Sequence, residues 1–305
     1  MPIHRRSALN NPLVVGLGEV LWDLLPTGKQ LGGAPANFAY HAKAMGAQAY
    51  VVSCVGEDEL GDEIQKRIKA IGLSDEYVAV DGEHATGTVT VELDADGKPT
   101  YVIHEDVAWD FIAPRPELIG LASRIDCVCF GSLAQRSPVS RTTIRDFVTA
   151  TRDDCLRIFD INLRQHYFNI DTIAPGLSWA TVLKLNDEEL PVLARLLSIE
   201  GTATEMLGTF CRRYNLDLIA LTKGGQGSLL FTPEAHSIQP GLPVEVADTV
   251  GAGDAFTAAL AMGLLAGLEL DAIAAGANRV AAYVCSQNGA TPAMPAELFE
   301  FLRRS

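Results

Sequence analysis

Four short, almost wholly apolar runs limit what this chain can fold into more than any other feature. They are Asp126 to Gly131, Leu156 to Ile161, Thr181 to Leu185 and Leu216 to Thr222. A strand that is apolar at nearly every position, not at every second one, is buried on both faces. That is the habit of a parallel sheet covered by helices on either side. Helical stretches such as Val139 to Ala150 and Asp187 to Leu197 separate the runs, as strand–helix alternation requires. Pro12 to Gly18 and Ala49 to Val55 read as two further buried strands. Leu60, Ile64, Ile68 and Ile71 form one helical stripe closed by Gly72. The last third reads as mostly helical: Ala255 to Leu268, Ala272 to Cys285, and a tail after Pro295.

One stretch has a different texture. Thr88 to Leu93 alternates polar and apolar with period two, Asp94-Ala95-Asp96-Gly97 turns, and Thr100 to Ile103 returns. This predicts a hairpin with one apolar face, outside the main sheet. With Leu21 to Leu25 it would make a small sheet lid over a pocket, with Trp109 and Phe111 at its return. The expected organisation is a single domain over residues 12–305, a lid from about 19–31 and 86–111, and a flexible tail at 1–11.

In open parallel sheets ligands collect at the carboxyl ends of the strands. Here those ends read Asp160-Ile161-Asn162-Leu163-Arg164, Asn186-Asp187-Glu188-Glu189 and Thr222-Lys223-Gly224-Gly225-Gln226-Gly227. The nonapeptide Asp248-Thr249-Val250-Gly251-Ala252-Gly253-Asp254-Ala255-Phe256 joins that rim. Its small residues leave backbone amides uncovered at the start of a helix, where first-turn donors lack partners and the dipole favours an anion. Asp254 in that turn is positioned to take a proton from a hydroxyl while the amides of Gly251, Ala252 and Gly253 hold a phosphoryl group. Asn186 and Glu189, spaced i,i+3 and read as one helix face, suit the water shell of Mg²⁺. Arg164 offers a planar fork for a phosphate, and Gly224-Gly225 lets backbone approach a nucleotide. Near the N-terminus, Leu31-Gly32-Gly33-Ala34-Pro35-Ala36-Asn37 runs into a helix with proline in its first turn, where Asn37 would either hydrogen-bond a polyol or cap the helix.

Other readings fail on spacing. Gly16-Leu17-Gly18 has Leu21 where a dinucleotide fingerprint needs a third glycine. Neither Gly28-Lys29 nor Gly97-Lys98 makes a P-loop, and the protein-kinase set is missing. A formal charge of −14 with no basic patch argues against nucleic acid and anionic membrane as partners. No apolar run is long enough to span a bilayer. The segment Met1 to Asn11 has no apolar core of a signal peptide. Six scattered cysteines without C-x-x-C read as free thiols in a reducing compartment, hence a cytoplasmic protein, with Cys127 and Cys129 expected on opposite faces of their strand. His41, His104 and His166 have no triad or metal spacing.

The two signatures Gly32-Gly33-Ala34-Pro35-Ala36-Asn37 and Asp248 to Phe256, with Asn186-x-x-Glu189 and Thr222-Lys223-Gly224-Gly225 between them, resemble those of the ribokinase-like (PfkB) carbohydrate kinases. Gly18-Glu19-Val20-Leu21-Trp22-Asp23, Phe130 to Leu133 and Asp160 to Arg164 are most similar to bacterial fructokinases. The resemblance implies a three-layer α/β/α, Rossmann-like fold with a β lid, and ATP-dependent phosphorylation of a sugar, with D-fructose first. The same chemistry on 2-keto-3-deoxygluconate, ribose or a nucleoside stays open, as does a non-catalytic sugar- or nucleotide-binding regulator. A keto acid would want a cation near the lid, for which Arg136 and Arg164 are the candidates. It further implies Asp254 as base, Gly251 to Gly253 as anion hole, and Asp23, Gly32, Gly33 and Asn37 on the sugar. Asn186 and Glu189 would organise Mg²⁺, and Thr222, Gly224, Gly225, Gly227 and Asn278 would line the ATP site. Positions matching Asp248, the Val250 carbonyl and Gly289 hold K⁺ in family members, although Ala293 stands where some have a serine ligand. Lids of this kind pair into homodimers.

Overall fold

The computed structural model describes residues 11–26, 28–93 and 99–302. Residues 1–10 and 94–98 lie outside the described residues, and with them most of the expected tail and the expected turn at Asp94 to Gly97. In chain order the strands are β1 (Leu13–Leu17), β2 (Leu21–Leu25), β3 (Gly28–Gly32), β4 (Gln48–Gly56), β5 (Val78–Asp81), β6 (Thr88–Leu93), β7 (Pro99–Ile103), β8 (Cys127–Phe130), β9 (Leu156–Asp160), β10 (Val182–Asn186), β11 (Leu218–Thr222), β12 (Ser228–Phe231) and β13 (His236–Gln239). The α-helices are α1 (Ala34–Ala44), α2 (Glu59–Ala70), α3 (Pro116–Ala122), α4 (Pro138–Thr149), α5 (Ile170–Trp179), α6 (Glu189–Leu196), α7 (Ala203–Tyr214), α8 (Ala252–Leu265) and α9 (Leu270–Cys285).

Nine strands form the main sheet in the order β13-β12-β11-β10-β9-β8-β1-β4-β5. It is parallel from β11 through β5. Alternation along each strand sends side chains to two cores. Val15, Val128, Phe159, Leu183 and Ile219 pack under α3 to α7, while Val14, Cys127, Ile158, Val182 and Leu218 pack under α1, α2, α8 and α9. The three layers expected from the apolar runs are therefore present. Cys127 and Cys129 lie in the same core, not on opposite faces, because residues two apart on a strand share a side. All six cysteines lie among the described residues, and none is joined in a disulfide.

The expectation of a mostly helical last third is corrected by β12 and β13, which add to the sheet edge antiparallel. These runs are four residues each, too short for periodicity to separate strand from loop. The helix read as starting at Ala255 begins at Ala252. From Ala255 to Leu265 every residue of it is buried, so α8 is a central helix with no polar face.

The lid is a second sheet in the order β3-β2-β6-β7. β6 and β7 form the expected antiparallel pair, and β2 joins β6 in parallel. β3 pairs with β2 and completes the sheet. Trp109, expected at the lid's return, is fully buried in the main core. The histidines are structural or surface groups: His41 is buried against the Ala290 carbonyl at 2.9 Å, His104 meets Thr90 Oγ1 at 3.1 Å, and His166 is exposed.

Candidate active site

Between the lid and the carboxyl ends of the strands lies a cavity of about 800 Å³. The chain turns into α8 at Gly251, whose φ of 78° is left-handed. A Cβ there would stand 2.7 Å from Ala290, so only glycine makes this turn. The first i→i−4 bond of the helix runs from Ala255 N to Gly251 O at 2.8 Å, which leaves the amides of Gly253 and Asp254 ahead of it. Gly33, at φ 110°, opens α1 in the same way, and a Cβ on it would strike the Glu19 carbonyl at 2.4 Å. Two helix N-termini thus face one space.

Across that space Asn37 Nδ2 donates to Asp254 Oδ2 at 2.8 Å. Asn37 is not a cap, since no side chain caps α1, and its Oδ1 is buried without a partner. Burial, helped by the charge of Asp160, raises the Asp254 pKa to about 6; the Asn37 bond, Lys184 and Arg164 pull the other way. Asp23, on β2, is also raised to about 6 by burial against the opposing pull of Arg164. Arg164 itself is exposed at the rim and donates only to its neighbour's carbonyl among the described bonds.

Asp23, Gly32, Gly33, Asn37, Arg164, Asn186, Thr222, Gly224, Gly225, Gly227, Val250, Ala252, Gly253, Asp254 and Asn278 all line the cavity with Gly251. Glu189, Asp248 and Gly289 do not. Asn186 and Glu189 are not on one helix face, because Asn186 ends β10 and Glu189 begins α6. They cap each other: Asn186 Oδ1 accepts from Glu189 N at 2.8 Å, and Glu189 Oε2 accepts from Asn186 N at 2.8 Å. The other oxygen, Oε1, accepts from Leu163 N at 2.9 Å. Glu189 therefore ties two strand ends together, and Asp187 and Glu188 take its place on the wall. Asp248 is likewise occupied, accepting from Val250 N at 3.0 Å and Gly289 N at 3.1 Å, which brings the three residues together through N–H groups. Asn278 Nδ2 holds the carbonyl of Pro240 at 3.2 Å, beside the rim.

Arg136 is not available to a ligand. Its side chain is 8% exposed, bonded twice to Asp110 (2.8 and 2.7 Å), and sandwiched between Trp109 and Tyr167. It also donates to the His104 carbonyl at 2.6 Å, and Tyr167 to that of Ile103 at 3.0 Å, so this cluster pins the lid's last strand to the body.

Two residues of the site went unread in the sequence. Glu19 is 5% exposed, lines the cavity and leaves Oε2 unpartnered; burial raises its pKa to about 7, with Arg164 opposing and Asp254 adding to the rise. Lys184 sits inside the apolar run of β10, and that lone charge was the available signal.

A covered parallel sheet with a β lid, closing on uncovered amides beside a carboxylate with raised proton affinity, defines a ribokinase-like phosphoryl-transfer fold. The model of the pfkB family carbohydrate kinases matches residues 25–297, and the chain belongs to that family. It is 28% identical over 316 residues to fructokinase-1 of Zea mays, covering 95% of this chain and 97% of that protein. An uncharacterized sugar kinase of Pyrococcus horikoshii, solved in complex with ATP, is 27% identical with a TM-score of 0.78 over 92% of this chain and 94% of that one. Fructokinase from Vibrio cholerae O395, solved with fructose, ADP and calcium ion, is 25% identical with a TM-score of 0.80 over 97% and 100%. Among the described residues no helix is long and apolar enough to cross a membrane.

Proposed function

We propose that the chain transfers the γ-phosphoryl group of ATP to the primary hydroxyl of D-fructose, giving fructose 6-phosphate. The observation that carries this reading is the Asn37–Asp254 pair, a base fixed across 217 residues of sequence where the two helix N-termini meet. With a pKa of about 6, Asp254 is charged at neutral pH and still basic enough to draw on a hydroxyl. In this reading Asp23 and Asn37, with the backbone of Gly32 and Gly33, hold the sugar's other hydroxyls. Asp254 takes the proton of the primary hydroxyl as its oxygen bonds to the γ-phosphorus. The bond to the β,γ-bridging oxygen breaks and ADP leaves. The amides of Gly251, Ala252 and Gly253 and the Arg164 guanidinium face the charge that develops on the phosphoryl oxygens. Thr222, Gly224, Gly225, Gly227 and Asn278 would line the nucleotide. Mg²⁺, met through water at Asn186 with Glu189 fixing that residue from behind, would neutralise the polyphosphate. A K⁺ beside Asp248, Val250 and Gly289 would meet a carboxylate whose two oxygens each accept one amide and each keep a lone pair for the ion.

A neutral acceptor such as fructose is favoured over an acidic one by the acceptor end itself, where Glu19 and Asp23 join Asp254 in one cavity and a neutral polyol avoids their charge. A carboxylate-bearing acceptor such as 2-keto-3-deoxygluconate is the second reading, carried by the rim residue Arg164 alone now that Arg136 is committed to Asp110. A coupled ADP-release assay with fructose, 2-keto-3-deoxygluconate, ribose and a nucleoside separates these. Fructose is expected to give the highest kcat/KM. A higher value for the keto acid transfers the reading to it, and no turnover of any acceptor by an ATP-binding protein leaves a regulator.

A further inference from the structure

Lys184 and Asn186 stand two apart on β10 and share the face turned to α8. Asn186 is at the rim and Lys184 one layer deeper, with a side chain 7% exposed. An ammonium so nearly out of water persists only with partners. Asp160, at the end of β9, supplies one: Nζ lies 3.0 Å from Oδ1. The second oxygen of Asp160 accepts from Thr257 Oγ1 at 2.8 Å, and the same hydroxyl reaches the Gly253 carbonyl at 2.9 Å. Asp160 is thereby used up between β10 and the first turn of α8. Lys184 is not: it has three N–H donors, and Asp160 is its one hydrogen-bond partner among the described residues.

The absence of a side chain at Gly253 makes room for the ammonium. A Cβ built on that glycine would lie 3.2 Å from Nζ, so the ammonium rests against the second residue of α8, and Lys184 lines the cavity. The charged groups facing it are Asp160, Glu189 and Asp254. Burial alone would lower its pKa, but those three carboxylates outweigh burial and hold it above the ordinary lysine value, so it stays a cation. One ammonium among three carboxylates leaves the floor of the site negative, and an incoming phosphoryl group would meet repulsion there that Lys184, the amides and, from the rim, Arg164 offset.

We propose that Lys184 is a catalytic residue of the phosphoryl transfer: held by Asp160 beneath Gly253, its Nζ donates a charge-assisted hydrogen bond to an oxygen of the phosphoryl group in flight. The inference rests on the reading of the α8 N-terminus as the anion hole. Lys184 gives up no proton at any stage; it adds a point charge to amide dipoles, and the lysine ammonium is the compact donor for that task.

The test uses the full chain, Lys184→Met, and the double variant Lys184→Met/Asp160→Asn, on whichever acceptor the wild type turns over. The double variant also neutralises Asp160, the carboxylate that loses its hydrogen-bonded ammonium, and the introduced amide can still accept from Thr257. Lys184→Met is expected to lose about 10²–10³-fold in kcat, the cost of one such donor, with sugar KM and ATP binding little changed, and the double variant is expected to stay equally slow. Recovery of the double variant toward wild-type kcat overturns the proposal, since the lysine would then only neutralise Asp160. A double variant that does not fold overturns it too, because its service would be structural. Neither outcome touches the kinase reading, which stands or falls on turnover by the wild type.

Discussion

Asp254→Asn should make this protein more stable and almost inactive at once. The carboxylate is raised from the ordinary 3.8 to about 6, first by burial and then by Asp160. Between those two pH values the folded chain keeps a proton that the unfolded chain has released. Stability therefore falls as pH rises through that window and stays lower above it. About two pH units at about 1.4 kcal/mol each is about 3 kcal/mol lost to the charge. Asp254 has one side open to cavity water, which screens it, and about 1–3 kcal/mol is the figure to expect. Asparagine keeps the shape, can still accept from Asn37, and carries no charge to desolvate. Above about pH 6 the variant should gain that amount, a rise of about 2 °C in Tm per kcal/mol for a chain of this size, and the gain should vanish below about pH 4. Thermal melts of both proteins across that range measure it. The same substitution should cost about 10²–10⁴ in kcat, with ATP binding retained. Equal melting curves at neutral pH would refute the desolvated charge, and near wild-type turnover would refute the base.

Three further outcomes follow from the structure. kcat/KM of the wild type should fall below about pH 6 as Asp254 takes up its proton; Asn37→Ala removes the bond that opposes this protonation and should move the acid limb to higher pH by about one unit, the scale of a hydrogen bond to a charge. A limb that stays put or moves down would remove Asn37 from the base's environment. Arg136→Met leaves Asp110, 5% exposed, as an unpaired buried charge and should cost about 3–5 kcal/mol in denaturant unfolding, with Arg136→Met/Asp110→Asn recovering much of it. A loss no larger than that of a surface change would mean the pair is not buried in solution.

How far the chain could be read in advance depended on the range of each signal. The apolar runs at 126–131, 156–161, 181–185 and 216–222 located β8 to β11, because burial on both faces is written into consecutive residues. The period-two stretch at 88–93 located the lid, because burial on one face alone is written into every second residue. β5, β12 and β13 escaped, as did the pairing of β3 within the expected lid range: each is a short strand whose existence depends on a neighbour to pair with.

The site divides along the same line. Gly251 to Asp254 could be assigned from the chain alone, since glycines, a following apolar helix and an acid in the first turn are local requirements of an amide-lined helix start. Which arginine stays free could not: Arg136 and Arg164 look alike in sequence, and only the packing of Asp110, Trp109 and Tyr167 around Arg136 withdraws it from the cavity. Nor could the partners of Lys184 be read, for Asp160 is 24 residues away and on another strand. Backbone conformation answers to side chains within a turn or two, whereas the charge state and availability of a buried group answer to whatever the fold brings within a few ångströms of it. The chain by itself determined the fully apolar strands, the lid hairpin and the glycine-rich start of α8; the tertiary structure decided which charges are spent on one another and which are left for a ligand.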